Sequence, residues 1–341
     1  MAEISVAILG LGRLGGSVGL ALARYNAEPD AKNHFDITGF DSHPSIRTEA
    51  KKLGAIPTTI ASLITAVEDK DVIVMALPYA ETRRTFREMA ARLRDGAVVL
   101  DLSPLKQPSM AWAAEYFPPE VYLVGATAVI NPALLWDGLD DIHHARADLF
   151  DDGDFLLAPS PSAAPDAVEL VTQLTELIGA GAHFIDPAEH DGLVAATEGI
   201  PAVLGAVAFR AMIARKGWTE ARRLTNPNFG RLTHHLLDTH PDDLRDQLLN
   251  NRENIVSQLD TLLPLLTEFR DLLAENDRDS IEATLVNSAD RYQRWLGNRT
   301  NGKWDVDQSN DNVDIGNTLL SGMLGGFLAD KLQGKDTRDD T

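Results

Sequence analysis

Ile4-Ser5-Val6-Ala7-Ile8-Leu9-Gly10-Leu11-Gly12-Arg13-Leu14-Gly15-Gly16-Ser17 stands at the head of the chain. Ile4–Leu9 is an apolar run of strand length, and the Ala/Leu-rich Val18–Arg24 beyond the glycines reads as a helix. Placed between them, G-x-G-x-x-G gives each glycine a task. Gly10 permits the tight turn, Gly12 lets the backbone approach a pyrophosphate, and Gly15 lets helix and strand pack closely. The helix N-terminus adds free N–H groups and partial positive charge for phosphates. The expected cofactor contacts here are Gly10, Gly12, Arg13, Leu14 and Gly15.

The second strand, Phe35-Asp36-Ile37-Thr38-Gly39-Phe40-Asp41, ends in an acid. A dinucleotide fold needs a carboxylate there for the ribose hydroxyls. Asp41 repels a 2′-phosphate, so NAD is expected rather than NADP, with Ser42, His43 and Arg47 close enough to soften that choice.

Downstream, short apolar runs alternate with helical patterns. Strands are expected at 4–9, 36–41, 72–77, 97–102, 121–126, 155–158 and 183–185. Helices are expected at 14–24, 45–53, 81–94 and 165–177. This alternation predicts an α/β fold whose N-terminal part is a doubly wound parallel sheet of the Rossmann type. Leu77 and Pro78, after the third long strand, are expected on the cofactor side. Thr127–Asp152 is polar, irregular and longer than an ordinary connection.

After Ile185 the strand signals stop. Pro187–Lys216 reads as one long helix, kinked at Pro201, apolar on nearly every face and therefore expected to be buried. Further helices are expected at 219–237, 242–276 and 279–296, with a break at Asn226–Gly230 and a kink at Pro264. Residues 1–186 are expected to bind the dinucleotide, and 187–296 to form an all-helical substrate and dimerisation domain. Residues 297–341 read as linker and tail, with an amphipathic stretch at Thr318–Lys331.

The chain has 341 residues and a net charge of −20. So acidic a protein is repelled by nucleic acid and by anionic membranes, and a small anionic substrate needs a local basic pocket. The absence of cysteine excludes disulfides, thiol nucleophiles and thiolate metal sites. His143-His144 sit among aspartates in the long loop, but such loop clusters are ordinarily solvated and no metal is expected. No signal peptide is read at the N-terminus and no uninterrupted apolar run reaches membrane-spanning length, so a cytoplasmic location is expected.

With these motifs in place, the chain resembles the prephenate/arogenate dehydrogenase family. The glycine loop through Leu22 carries the resemblance. So do Asp71-Val72-Ile73-Val74-Met75-Ala76-Leu77-Pro78 and Asp101-Leu102-Ser103-Pro104-Leu105-Lys106. Glu189-His190-Asp191-Gly192-Leu193-Val194 and Asn250-Asn251-Arg252-Glu253 complete it. The resemblance implies an NAD-dependent oxidoreductase of tyrosine biosynthesis, acting by oxidative decarboxylation as a homodimer. It implies Lys106 and His190 as catalytic residues and Ser103, Asn131 and Arg231 as substrate contacts. Those cations are expected to converge near the nicotinamide.

The sequence departs from the family at three places. The family's His-Pro-Met after the sixth strand, whose histidine assists loss of the hydroxyl proton, is replaced by Gly125-Ala126-Thr127-Ala128-Val129-Ile130-Asn131-Pro132. Its Ser-His-x-Pro-His on the long helix becomes Glu198-Gly199-Ile200-Pro201-Ala202, and Pro104 stands for a serine. Two further readings therefore stay open: a dehydrogenase diverged toward another small carboxylate, and a non-catalytic NAD-binding protein.

Overall fold

The computed structural model describes residues 2–136 and 140–302. An eight-stranded sheet forms its centre: β1 Ala2–Leu9, β2 Asn33–Phe40, β3 Thr58–Ile60, β4 Val72–Met75, β5 Val98–Asp101, β6 Tyr122–Val129, β7 Asp154–Pro159 and β8 Gly181–Phe184, in the order β3-β2-β1-β4-β5-β6-β7-β8. The order reverses between β2-β1 and β4, as a doubly wound fold requires, and opens a crevice at the C-terminal ends of β1 and β4. Helices α1 Arg13–Asn26, α2 Pro44–Lys52, α3 Leu63–Val67, α4 Tyr79–Met89, α5 Lys106–Tyr116 and α6 Pro165–Leu177 connect the strands.

Strand alternation sorts the core onto two faces. Val6, Ile8, Val72 and Val74 join one buried cluster, and Ala7, Leu9, Ile73 and Met75 the other. Burial on both faces explains why these strands read as continuous apolar runs. The three-residue β3 is too short to have been read from pattern.

The expected all-parallel sheet needs one correction. β7 pairs antiparallel with β6, and β8 then pairs parallel with β7. A parallel neighbour needs a crossover, usually a helix. The described part of the β6–β7 connection holds only two short 3₁₀ turns, Pro132–Leu134 and Ile142–His144. Between β7 and β8, α6 supplies that crossover.

The long helix of the second half runs as α7 Pro187–Val194, a π turn Ala195–Gly199, and α8 Ile200–Ile213. The wider turn lies just before Pro201, where proline removes a hydrogen-bond donor and crowds the preceding turn. Its expected burial is not met within one chain: only 17% of its most apolar window is buried, and Leu193 and Val207 are more than half exposed. With a mean hydropathy of 1.6, Pro187–Ile213 is also long and apolar enough to cross a membrane by length and composition, although Glu198 interrupts its apolar run.

There follow α9 Trp218–Ala221, α10 Pro227–Thr233, α11 His235–Asp238, α12 Pro241–Asn250, α13 Arg252–Glu275 and α14 Arg278–Thr300. Asn226-Pro227, read as a break, starts α10, with Pro227 in the first turn, where its missing N–H costs nothing. α13 continues through Pro264. α14 takes in Gly297, where a linker was expected; the Thr318–Lys331 stretch lies outside the described residues. The described residues divide into two compact units, with the boundary between Leu262 and Leu263. In the second, Asp277 caps α14 by accepting the Ser280 N–H at 3.1 Å, and the Tyr292 and Trp295 rings lie 5.3 Å apart.

Candidate dinucleotide and substrate site

The glycine loop shows a separate physical demand at each position. Gly10 has φ +87°, and a Cβ there would lie 2.2 Å from the Ala76 carbonyl oxygen. A Cβ on Gly15 would lie 1.9 Å from the Gly10 carbonyl oxygen, so helix and loop meet only without a side chain. Gly12 differs: nothing lies within 4 Å of where its Cβ would be. Its missing side chain faces open space at the start of α1.

Asp41, at the end of β2, is buried and braces this loop. Its Oδ2 accepts the Leu11 N–H at 3.0 Å, and its Oδ1 accepts the His43 N–H at 2.8 Å. Arg13, the first residue of α1, has buried Nε and Nη2 atoms without a hydrogen-bond partner. Leu14 packs against the first core cluster. Leu77 packs against the second, with Pro78 exposed beside it as the N-cap of α4.

A second network joins β5, β6, α5 and α7. Leu105, the N-cap of α5, offers no capping side chain. Asp191 of α7 supplies the cap instead: Oδ1 accepts the Lys106 N–H at 2.8 Å and Oδ2 the Gln107 N–H at 2.9 Å. Oδ1 also faces His190 Nδ1 at 2.9 Å, and His190 Nε2 faces Thr127 Oγ1 at 2.8 Å. Asn251, from the Asn-Asn-Arg-Glu segment, donates from Nδ2 to the Asp191 carbonyl at 2.8 Å and so ties α7 to the start of α13.

Lys106 was expected to offer its charge to a substrate, and the geometry is otherwise. The side chain is fully buried, and its ammonium donates to the carbonyl oxygens of Ser103, Ala126 at 2.8 Å and Asp101 at 3.4 Å. Its stem passes over Gly125, where a Cβ would lie 2.8 Å from Lys106 Cδ. Burial brings its pKa down to about 8, opposed by Asp101 and Asp191. The lysine is a clamp between β5 and β6.

Ser103 is also turned inward, its Oγ donating to Asp101 Oδ2 at 2.6 Å. Asn131 folds its own loop: Oδ1 accepts the Ala133 N–H at 3.0 Å and Nδ2 donates to the Asp148 carbonyl at 3.2 Å. Of the cations expected to converge, Lys106 and His190 are joined through Asp191. Arg231 is exposed in the last turn of α10 and belongs to neither this network nor the cavity below.

That cavity, of about 130 Å³, is lined among others by Glu198, Pro201, Ala202, His235, Gln247 and Asn251. Glu198 keeps solvent access, yet the protein packed around it raises its carboxyl above the ordinary carboxylate range. His235 Nε2 is buried and has no partner. Thr127 and His235 were missed in the sequence. A threonine in a strand and one of two adjacent histidines in a helix carry no local signal; both are brought to the site by tertiary packing.

A glycine loop at the switch point of a doubly wound sheet, followed by a helical half, defines a dinucleotide-binding protein with a helical second domain. Residues 30–185 match the nucleotide-binding domain of prephenate dehydrogenase, and residues 186–287 match its dimerization domain. The chain belongs to the prephenate dehydrogenase family. The match begins after the glycine loop, which stands on its own sequence and geometry. The chain is 24% identical over 283 residues to the prephenate dehydrogenase of Bacillus subtilis, covering 81% of this chain and 72% of that one. It is 22% identical to the cyclohexadienyl dehydrogenase of Zymomonas mobilis, covering 80% and 90%. The structure of prephenate dehydrogenase from A. aeolicus, in complex with hydroxyphenyl propionate and NAD+, matches with a TM-score of 0.72 at 18% identity over 86% of this chain and 99% of that one. At that identity the likeness establishes the fold.

Proposed function

We propose that this protein is an NAD-dependent dehydrogenase that oxidatively decarboxylates a cyclohexadienyl acid, prephenate or arogenate. The observation that carries the reading is the open space over Gly12, at the N-terminus of α1, beside the buried and unpartnered Arg13 nitrogens. A loop that holds Gly10 and Gly15 against backbone but leaves this one open fits a pyrophosphate. The Arg13 guanidinium, two of its nitrogens without a hydrogen bond, adds positive charge that the nearby Asp140 carboxylate partly offsets. Gly10, Gly12, Arg13, Leu14 and Gly15 would hold the phosphates, Asp41 the adenosine ribose, and Leu77 and Pro78 the nicotinamide side. The bound nicotinamide supplies a hydride acceptor.

The rest falls to the chain's own residues. Asp41 selects against a 2′-phosphate by charge. Arg231, exposed and with no side-chain hydrogen bond or ion pair among the described residues, remains available for a substrate carboxylate. Lys106 and Ser103 shape the turn after β5 from within the protein, and Asn131 shapes the loop after β6. Residues 1–186 form the dinucleotide-binding domain, and 187–296 the substrate and dimerisation domain. A second copy covers the exposed apolar flank of Pro187–Ile213, as the match to a dimerization domain supports.

The test is direct. Purified protein is incubated with NAD and either prephenate or arogenate, and NADH absorbance is followed. Turnover of either substrate is expected. Tight NADH binding without turnover of either would favour the non-catalytic reading.

A further inference from the structure

β6 lacks the histidine that the family resemblance leads one to expect. A histidine nevertheless reaches that strand from another element. His190 of α7 is 1% exposed, and its Nε2 lies 2.8 Å from the hydroxyl of Thr127, within β6. Its Nδ1 faces the Asp191 carboxylate at 2.9 Å, and Asp191 is itself buried. Asp191 already accepts two backbone N–H groups from the start of α5. An acceptor so placed holds the imidazole proton on Nδ1. Nε2 is then left as a lone pair aimed at the Thr127 hydroxyl.

We propose that Thr127, His190 and Asp191 form a proton relay in which Thr127 Oγ1 is the atom presented to the substrate. This rests on the dehydrogenase reading above. Thr127 is half-buried, while His190 and Asp191 are closed to solvent, so of the three only Thr127 keeps surface that a ligand can reach. In the relay, the proton of the substrate's ring hydroxyl passes to Thr127 Oγ1 as the proton already on Oγ1 passes to His190 Nε2. The substrate oxygen becomes a carbonyl as its carbon loses hydride to the nicotinamide dinucleotide. When the ring carboxylate leaves as carbon dioxide and the ring aromatises, the proton returns by the same path to that oxygen. No net proton is gained or lost. A hydroxyl is a poor base alone and a competent one when an oriented imidazole takes its proton in the same step. Thr127 is thus the catalytic residue, His190 the proton acceptor behind it, and Asp191 the positioning residue. The other titratable groups packed here are Tyr79 at the start of α4, whose phenol is held neutral by burial and by the field of Asp191 and Asp101, Lys106 at the start of α5 and Asp101 at the end of β5. Lys106 is held by backbone carbonyls and Asp101 by Ser103, so neither meets the imidazole in a hydrogen bond.

The experiment compares wild type, Thr127→Val and Thr127→Ser. Valine keeps the shape and loses the hydroxyl; serine keeps the hydroxyl. Thr127→Val should lower kcat by ~10²-fold or more with little change in KM, as loss of a general base does. It should also lose the acidic limb of the kcat–pH profile, and Thr127→Ser should restore both. Wild-type kcat with the same limb in Thr127→Val overturns the relay. A second measurement needs no turnover: NMR of the imidazole nitrogens in labelled protein without cofactor. His190 should show the Nδ1–H tautomer, with an Nε2 signal that moves in Thr127→Val and returns in Thr127→Ser. An Nε2–H tautomer, or an Nε2 signal indifferent to Thr127→Val, overturns the relay. If wild type oxidises neither prephenate nor arogenate, the dehydrogenase reading falls and the catalytic relay with it, and the NMR result then decides only whether Thr127, His190 and Asp191 form the oriented hydrogen-bond chain.

Discussion

Asp41 Oδ2 accepts the backbone N–H of Leu11 at 3.0 Å, so the acid proposed to bind the ribose also holds the glycine loop in position. Removing it therefore acts twice. Asp41→Ala should weaken NAD by roughly 10- to 100-fold, the range for losing hydrogen bonds to a charged group. NADP should be weakened less, because the repulsion of its 2′-phosphate disappears at the same time. Fluorescence titration with NADH and NADPH measures both. Equal losses for the two would remove Asp41 from the ribose site.

The glycine loop separates a binding defect from a folding defect. Gly12→Val adds a side chain into space where nothing lies within 4 Å, so the melting temperature should stay within a few degrees of wild type while NADH binding is lost. Gly15→Val drives a Cβ to 1.9 Å from the Gly10 carbonyl oxygen and should destabilise the fold itself. Thermal melts paired with NADH titration of the two variants check this. Unchanged NADH affinity in Gly12→Val rules out the loop as the pyrophosphate site.

Lys106 makes stability depend on pH with a definite sign. Its pKa in the folded protein, about 8, lies below its ordinary value of 10.5. Below pH 8 both folded and unfolded chains carry the proton, and burying the charge weakens the fold. Between pH 8 and 10.5 the unfolded chain holds the proton and the folded one does not, so this contribution rises with pH. The stability of wild type relative to Lys106→Met should rise by roughly 3 kcal/mol across that window. Urea denaturation of both proteins at a series of pH values measures it, and a pH-independent difference would contradict the buried-ammonium account.

The flank of the long helix should be an interface between copies. Leu193 is 51% exposed, Val207 58% and Ile213 45%, an apolar load on one helix that a lone soluble chain rarely leaves in water. Light scattering at micromolar concentration should give a homodimer rather than the 37.1 kDa monomer, and Val207→Asp should shift the equilibrium toward the monomer. A monomeric wild type would leave the exposed flank unexplained.

Much of this protein was determined locally. The left-handed backbone at Gly10 and the contact of Gly15 with the Gly10 carbonyl are demands made within a few residues, although the Ala76 carbonyl that also crowds Gly10 comes from a distant strand. Apolar runs buried on both faces announce their strands wherever they occur, and Asp41 follows from its place at the end of the second strand. Other features depended on residues distant in sequence. The reversal at β7 came from a connection whose described residues hold no crossover helix. Lys106, which in sequence is only a lysine after a strand, is a buried clamp because the carbonyls of β6 and of the turn after β5 close around it. His190 and Thr127 are 63 residues apart, and nothing near either one predicts a hydrogen bond. Propensity and periodicity act over one or two turns of chain. The partner of a buried polar group is chosen by whichever element packs against it, and only the folded structure contains that choice.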